Sequence, residues 1–160
     1  MLFNSYAFVL AFLPVVVLGY FAIARLSPRG ANAFLAAASL FFYAWWKLDF
    51  LWILLASVAV NYAVGHRLSR DAAAGRGGKP ALAAGVLFNL ALLGYFKYAD
   101  FFIENVNAVA GAHLPLLRVA LPLGISFFTF TQIAYLVDAW KGKAAEYSAT
   151  NYLLFVTFFP

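Results

Sequence analysis

The sequence predicts an all-α membrane protein, with about five transmembrane helices plus the start of another, forming part of a larger multi-helix bundle. Three observations carry this. Of the 160 residues, 66% are hydrophobic and only 11% charged, against roughly 45–50% apolar and about 25% charged in an average soluble domain. The mean hydropathy is +0.87. The apolar residues also gather in runs close to the ~20 residues that cross a bilayer as a helix, separated by charged or glycine-rich breaks.

The first run covers residues 6–24. Pro14 lies inside it and is expected to kink the helix, which membrane helices tolerate where neighbours satisfy the freed carbonyl. No Lys or Arg precedes Tyr6, so the charged start of a cleaved signal peptide is missing. Arg25, Pro28, Arg29 and Gly30 close the run with charge and a turn signal. A second block, residues 31–46, is interrupted by Lys47 and Asp49, and a third continues to about Gly65. Together they are too long for one span and read as a hairpin. Trp45, Trp46 and Trp52 flank the break, as suits a membrane–water interface.

Residues 66–80, HRLSRDAAAGRGGKP, read as a solvated loop that contains His66. The Gly77-Gly78-Lys79 run lacks P-loop spacing, and no strand precedes it. A fourth span is expected at residues 81–96. Lys97 and Asp100 follow, then a short interfacial helix reaching Ala110. The fifth span begins near Leu114 or Leu121 and ends near Asp138. Lys141, Lys143 and Glu146 make a loop, and residues 151–160 open another apolar segment. That segment stops at Pro160, so the chain is expected to be truncated there and to represent part of a longer protein.

Charge sets an orientation. Arg25, Arg29, Arg67, Arg70, Arg76, Lys79, Lys141 and Lys143 fall on one side of this five-span arrangement, and Lys47, Lys97 and Arg118 on the other: eight basic residues against three. The positive-inside rule then predicts an external N-terminus and a cytoplasmic loop after Asp138. The net charge of +5 is explained by these topology-setting loops, and nucleic acid is not an expected partner.

The chemistry-bearing residues are few. The absence of cysteine removes disulfides, thiolate catalysis and cysteine metal sites. His66 and His113 fall in loops on opposite sides and cannot pair, and no spacing suits a metal site or a nucleophile elbow. Lys47 with Asp49 and Lys97 with Asp100 read as interfacial ion pairs. Asp71 and Glu146 read as solvated loop carboxylates.

The segment LPLGISFFTFTQIAYLVDAWKG, residues 121–142, differs from the rest. It is long enough to span a bilayer yet carries Ser126, Thr129, Thr131, Gln132, Tyr135 and Asp138. Polar groups at membrane depth are costly and usually face a bundle interior or a water-filled cavity. Thr131, Tyr135 and Asp138 follow i, i+4, i+7 and share a helix face. Two readings stand open: hydrogen-bonded contact between helices, and a wall lining a substrate path, with Ser126, Thr131, Gln132, Tyr135 and Asp138 as candidates. Pro122 and Gly124 predict an irregular start to this helix.

Residues 121–142 resemble a hallmark stretch of the membrane-bound O-acyltransferase family, within its alginate O-acetyltransferase-like branch. MLFNSYAFVLAFLPVVVLGYF at the N-terminus, LFFYAWW at residues 40–46, LGYFKYADFF at 93–102 and NYLLFVTFFP at 151–160 are similar to stretches of that branch in the same order. The resemblance implies a ring-like bundle of about eleven helices around a tunnel in the bacterial cytoplasmic (inner) membrane, with this chain forming the N-terminal part of that single domain. It implies transfer of an acetyl group from a cytoplasmic donor, acetyl-CoA or a similar acyl donor, to an exported polysaccharide, with a periplasmic acetyltransferase partner. It implies no bound cofactor or metal, and membrane lipid as surroundings. The family's catalytic histidine lies downstream of the hallmark segment. Neither His66 nor His113 holds that place, so the chain alone is expected to lack the catalytic centre and to be inactive. The alternatives are a transporter or channel module and a truncated assembly subunit without chemistry.

Overall fold

A computed structural model of the chain describes residues 6–143 and 148–157. Every regular element among them is helical. Glu146 and Pro160, which the sequence places in a loop and in a further apolar segment, lie outside the described residues.

A π-helical turn at Phe8–Phe12 leads into α1, Leu13–Ala24. Pro14 has no amide to donate, and the turn before it widens so that the Leu13 amide reaches back to the carbonyl of Phe8. Ser27 caps α2, Pro28–Trp46: its hydroxyl accepts the Gly30 amide at 3.2 Å, with Pro28 in the first turn. Lys47 is extended, with φ −160° and ψ 121°, and separates α2 from α3, Leu48–Ala73. The hairpin break is therefore where the charge interruption places it.

Charge does not end α3. His66, Arg67, Arg70 and Asp71 all continue the helix, so the expected loop over residues 66–80 shrinks to the few residues after Ala73. Arginine, leucine and alanine are good helix formers; the helix stops only where glycine takes over, with Gly75 at φ 68° and Gly78 at φ 52°. From there α4, Lys79–Leu93, passes through a π-helical turn at Gly94–Tyr98 into α5, Ala99–Ala110. These three pieces form one 32-residue helix, Lys79–Ala110, so no break isolates the short interfacial helix expected after Lys97.

Gly111, at φ 62°, ends α5. Residues 111–124 are not helical and fold back along α5. Asn107 brackets Leu114, its amide donating to the Leu114 carbonyl and its carbonyl accepting the Leu114 amide, both at 2.9 Å. Asp100 Oδ1 accepts the Leu117 amide at 2.7 Å. The fifth apolar element therefore starts later than expected, as α6, Ile125–Trp140, after buried Pro122 and a left-handed Gly124 at φ 68°. The final element is α7, Ala149–Thr157.

Helix α6 sits at the centre. Its face of Ile125, Phe128, Thr129, Gln132, Tyr135, Leu136 and Ala139 is buried against α3 and α4, while α1 and α7 pack on α2. The core joins Phe50, Leu54, Val58 and Leu68 of α3 to Leu93, Phe128, Leu136 and Tyr152. Outside it, large apolar residues stand open, among them Val15, Leu18, Phe21, Trp45, Trp52, Leu87, Phe101 and Phe102. Soluble monomers rarely expose apolar surface on this scale. Two helices, Leu48–Ala73 and Lys79–Ala110, are long and apolar enough to cross a membrane, and Phe8–Ala24 is a shorter apolar helix.

The expected ion pairs are replaced. The Lys47 ammonium lies 5.4 Å from the centre of the Phe50 ring, and Lys97 donates to Ser126 Oγ at 3.3 Å. Asp71 is not merely solvated: it pairs with Arg76 at 3.1 Å and with Arg67 at 3.9 Å.

Candidate functional site

The polar residues of α6 divide by helix face. Thr129, Gln132 and Tyr135 point into the packed side and are buried. Thr131 is half-buried, and its hydroxyl donates within its own helix to the Phe127 carbonyl at 2.8 Å. Asp138 is exposed. Ser126, half-buried on the other flank, receives Lys97. Of the five residues proposed from sequence, the fold brings Gln132 and Tyr135 into one buried face and sets Ser126, Thr131 and Asp138 around its margins.

Three residues not singled out in the sequence complete the buried polar layer. Ser57 and Asn61 stand one turn apart on α3, and Asn89 faces them from α4; all are buried. Ser57 Oγ donates to Gln132 Oε1 at 3.2 Å. Asn61 donates to Asn89 Oδ1 at 3.2 Å, and Asn89 donates in return to Asn61 Oδ1. Each asparagine also caps a carbonyl of its own helix, Ser57 at 2.9 Å and Gly85 at 2.8 Å. The signal in the sequence was an isolated asparagine within each apolar run, WILLASVAVNYAVG and GVLFNLALL. Burying an amide without a partner costs roughly 2–7 kcal/mol, so an asparagine there needs a partner on a neighbouring helix.

Beyond this layer stands an aromatic stack. The rings of Tyr135 and Tyr152 lie 4.3 Å apart, those of Tyr152 and Tyr62 5.5 Å, and Tyr62 stacks on His66 at 6.4 Å. His66 is exposed on α3, not in a loop, and His113 sits in the irregular segment before α6. Neither joins the polar layer. Among the described residues no group of three or more His, Cys, Asp or Glu is placed to hold a metal ion.

The layer offers uncharged amides and hydroxyls, which donate and accept hydrogen bonds. It can orient and hydrogen-bond; it cannot act as a general base. Four buried polar atoms have no partner among the described residues: Gln132 Nε2 and Thr129 Oγ1 in the layer, and Tyr152 OH and Tyr43 OH on α7 and α2. Buried polar groups are nearly always satisfied, and the exceptions call for an explanation. Two of the four, Gln132 Nε2 and Thr129 Oγ1, belong to the hallmark segment and lie one turn apart.

No protein-family model matches the chain, and no solved structure is significantly similar to it. Curated proteins are. A peptidoglycan O-acetyltransferase of Helicobacter pylori is 42% identical over 146 residues, covering 88% of this chain and 27% of that protein. The protein named "Probable alginate O-acetylase AlgI" of Azotobacter vinelandii is 36% identical over 166 residues, covering 100% of this chain and 32% of its own length. Its namesake in Pseudomonas aeruginosa is 36% identical over 165 residues, covering 100% and 31%. The chain thus spans 27–32% of the length of these curated relatives. This similarity, at 36–42% identity to proteins named as O-acetyltransferases of peptidoglycan and alginate, is consistent with the alginate O-acetylase-like branch of the membrane-bound O-acyltransferase family, as the hallmark segment on α6 implies.

Proposed function

We propose that this chain forms part of the wall of an acetyl-transfer tunnel in a multi-pass enzyme of the bacterial inner membrane. The enzyme moves acetyl from a cytoplasmic donor, acetyl-CoA or a similar thioester, to hydroxyl groups of an exported polysaccharide. The supporting observation is the similarity of the chain to proteins named as O-acetyltransferases of peptidoglycan and alginate. In the transfer, a general base removes the acceptor hydroxyl proton, the oxygen adds to the acyl carbonyl, and the thiol leaves with a proton. That base lies outside these residues, and the chain alone is inactive. Gln132 and Thr129 face the path and hydrogen-bond the substrate; Ser126, Thr131, Tyr135 and Asp138 border it.

The topology belongs to the same reading. About five helices cross the bilayer, the N-terminus is external, and the loop carrying Ala74 is cytoplasmic. A periplasmic partner completes delivery to the polymer.

The test is replacement. This chain is exchanged for its matching segment in the Helicobacter pylori protein, and base-labile acetyl esters on peptidoglycan are measured in cells lacking the parent enzyme. Restored esters support the reading. A chimera present in the membrane at the parent's abundance, with no esters, overturns it.

A further inference from the structure

The open face of α3 changes chemistry along its length. Trp52, Ala56, Ala59, Val60 and Ala63 lie exposed on one side of the helix, and His66, Arg67 and Arg70 continue the same exposed stripe. At about 1.5 Å per residue, the apolar part runs about 16 Å, close to half of the ~30 Å hydrocarbon core of a bilayer. Where it ends, a cavity of about 630 Å³ opens, lined by Ala63, His66, Arg67, Arg70, Asp71 and Arg76. Asp71 gathers Arg67 and Arg76 at its rim, their side chains still 77% and 69% exposed. Arg70 makes no ion pair among the described residues. The loop that carries Arg76 is pinned by Trp140, whose indole donates to the Gly77 carbonyl at 2.7 Å. Three guanidinium groups face one carboxylate, so the cavity keeps an excess of two positive charges.

We infer that this face holds an anionic phospholipid, its phosphate among Arg67, Arg70 and Arg76 and one acyl chain along the stripe from 52 to 63. A soluble phosphoester would use the arginines but leave the apolar stripe unmatched. A lipid matches both, in the right order and over the right length. The inference rests on the membrane reading of the chain, not on acetyl transfer.

The experiment is lipid retention. The protein, extracted from membranes and reconstituted in phosphatidylcholine nanodiscs containing a minority of phosphatidylglycerol, is re-isolated, and its retained lipid is quantified by mass spectrometry. Phosphatidylglycerol is expected to be enriched over its bulk share. Each arginine near an anionic surface contributes on the order of fivefold in affinity, so Arg70→Gln should lower the enrichment about fivefold. The combined Arg67→Gln, Arg70→Gln, Arg76→Gln variant should abolish it. A variant that loses the same charge elsewhere, Arg25→Gln, Lys141→Gln, Lys143→Gln, should retain it. Absence of enrichment in the unaltered protein, or equal loss in both triple variants, overturns the assignment. So does displacement of the lipid by free coenzyme A or pyrophosphate, which would assign the cavity to a soluble phosphate. Recovery of the protein in the soluble fraction would instead sink the membrane reading beneath it.

Discussion

The phenol ring of Tyr135 lies directly against the bare backbone of Gly65, so a Cβ at Gly65 would collide with it. Small residues at such positions let membrane helices approach closely. The same device recurs at Gly85, where an added Cβ would sit 2.6 Å from Leu136 Cδ1. These two glycines seat α6 against α3 and α4.

Gly65→Ala should therefore destabilise the fold by about 1–3 kcal/mol, as overpacking does, even though alanine favours helix. Thermal unfolding in detergent checks it. An unchanged midpoint would mean that α6 has room to move.

The reciprocal amide pair of Asn61 and Asn89 should behave as a coupled unit. Either single change to Leu strands the other amide in the core, at a cost of about 1–3 kcal/mol. Changing both should cost clearly less than the sum, because the apolar pair leaves nothing unsatisfied between the side chains. A double-mutant cycle by chemical or thermal unfolding measures this, and simple additivity would contradict the pairing.

Asp138 and Ala74 separate the roles of surface positions. Asp138 is exposed on α6, so Asp138→Ala should change stability by no more than about 0.5 kcal/mol. If it borders the acetyl path, ester formation falls while protein abundance holds; full activity removes it from that path. Reporter fusions at Ala74 should read cytoplasm, and fusions at Gly111, at the other end of the Lys79–Ala110 helix, should read outside. Matching signals at the two sites would contradict a crossing by that helix.

Much of this architecture was legible in the residues. The charge break at Lys47, the disturbance at Pro14 and the irregular start at Pro122 and Gly124 all follow from local chemistry: an interrupted apolar run, a missing amide, a glycine free to take positive φ. Charge misled where it was read as loop. Arg67 and Arg70 are as good in a helix as leucine, and only glycine ended α3. The polar layer was half legible. Gln132 and Tyr135 stand out in a hallmark segment, but their partners Ser57, Asn61 and Asn89 are tens of residues away, and pairing across helices is a property of the fold. Asp138 and Thr131 share a helical side with Tyr135 in any wheel, yet only the packing of α3 and α4 decides which part of that side is buried.

The most direct measurement compares Gln132→Leu with Ser57→Ala in the chimera that carries this chain. Both remove the Ser57–Gln132 hydrogen bond, but only the first removes Gln132 Nε2, which has no partner among the described residues. If the buried face of α6 lines the acetyl path, Ser57→Ala retains most acetyl esters, and Gln132→Leu lowers them by about tenfold or more at unchanged membrane abundance, on the scale of a lost buried hydrogen bond to substrate. Equal ester content in the two variants would contradict it.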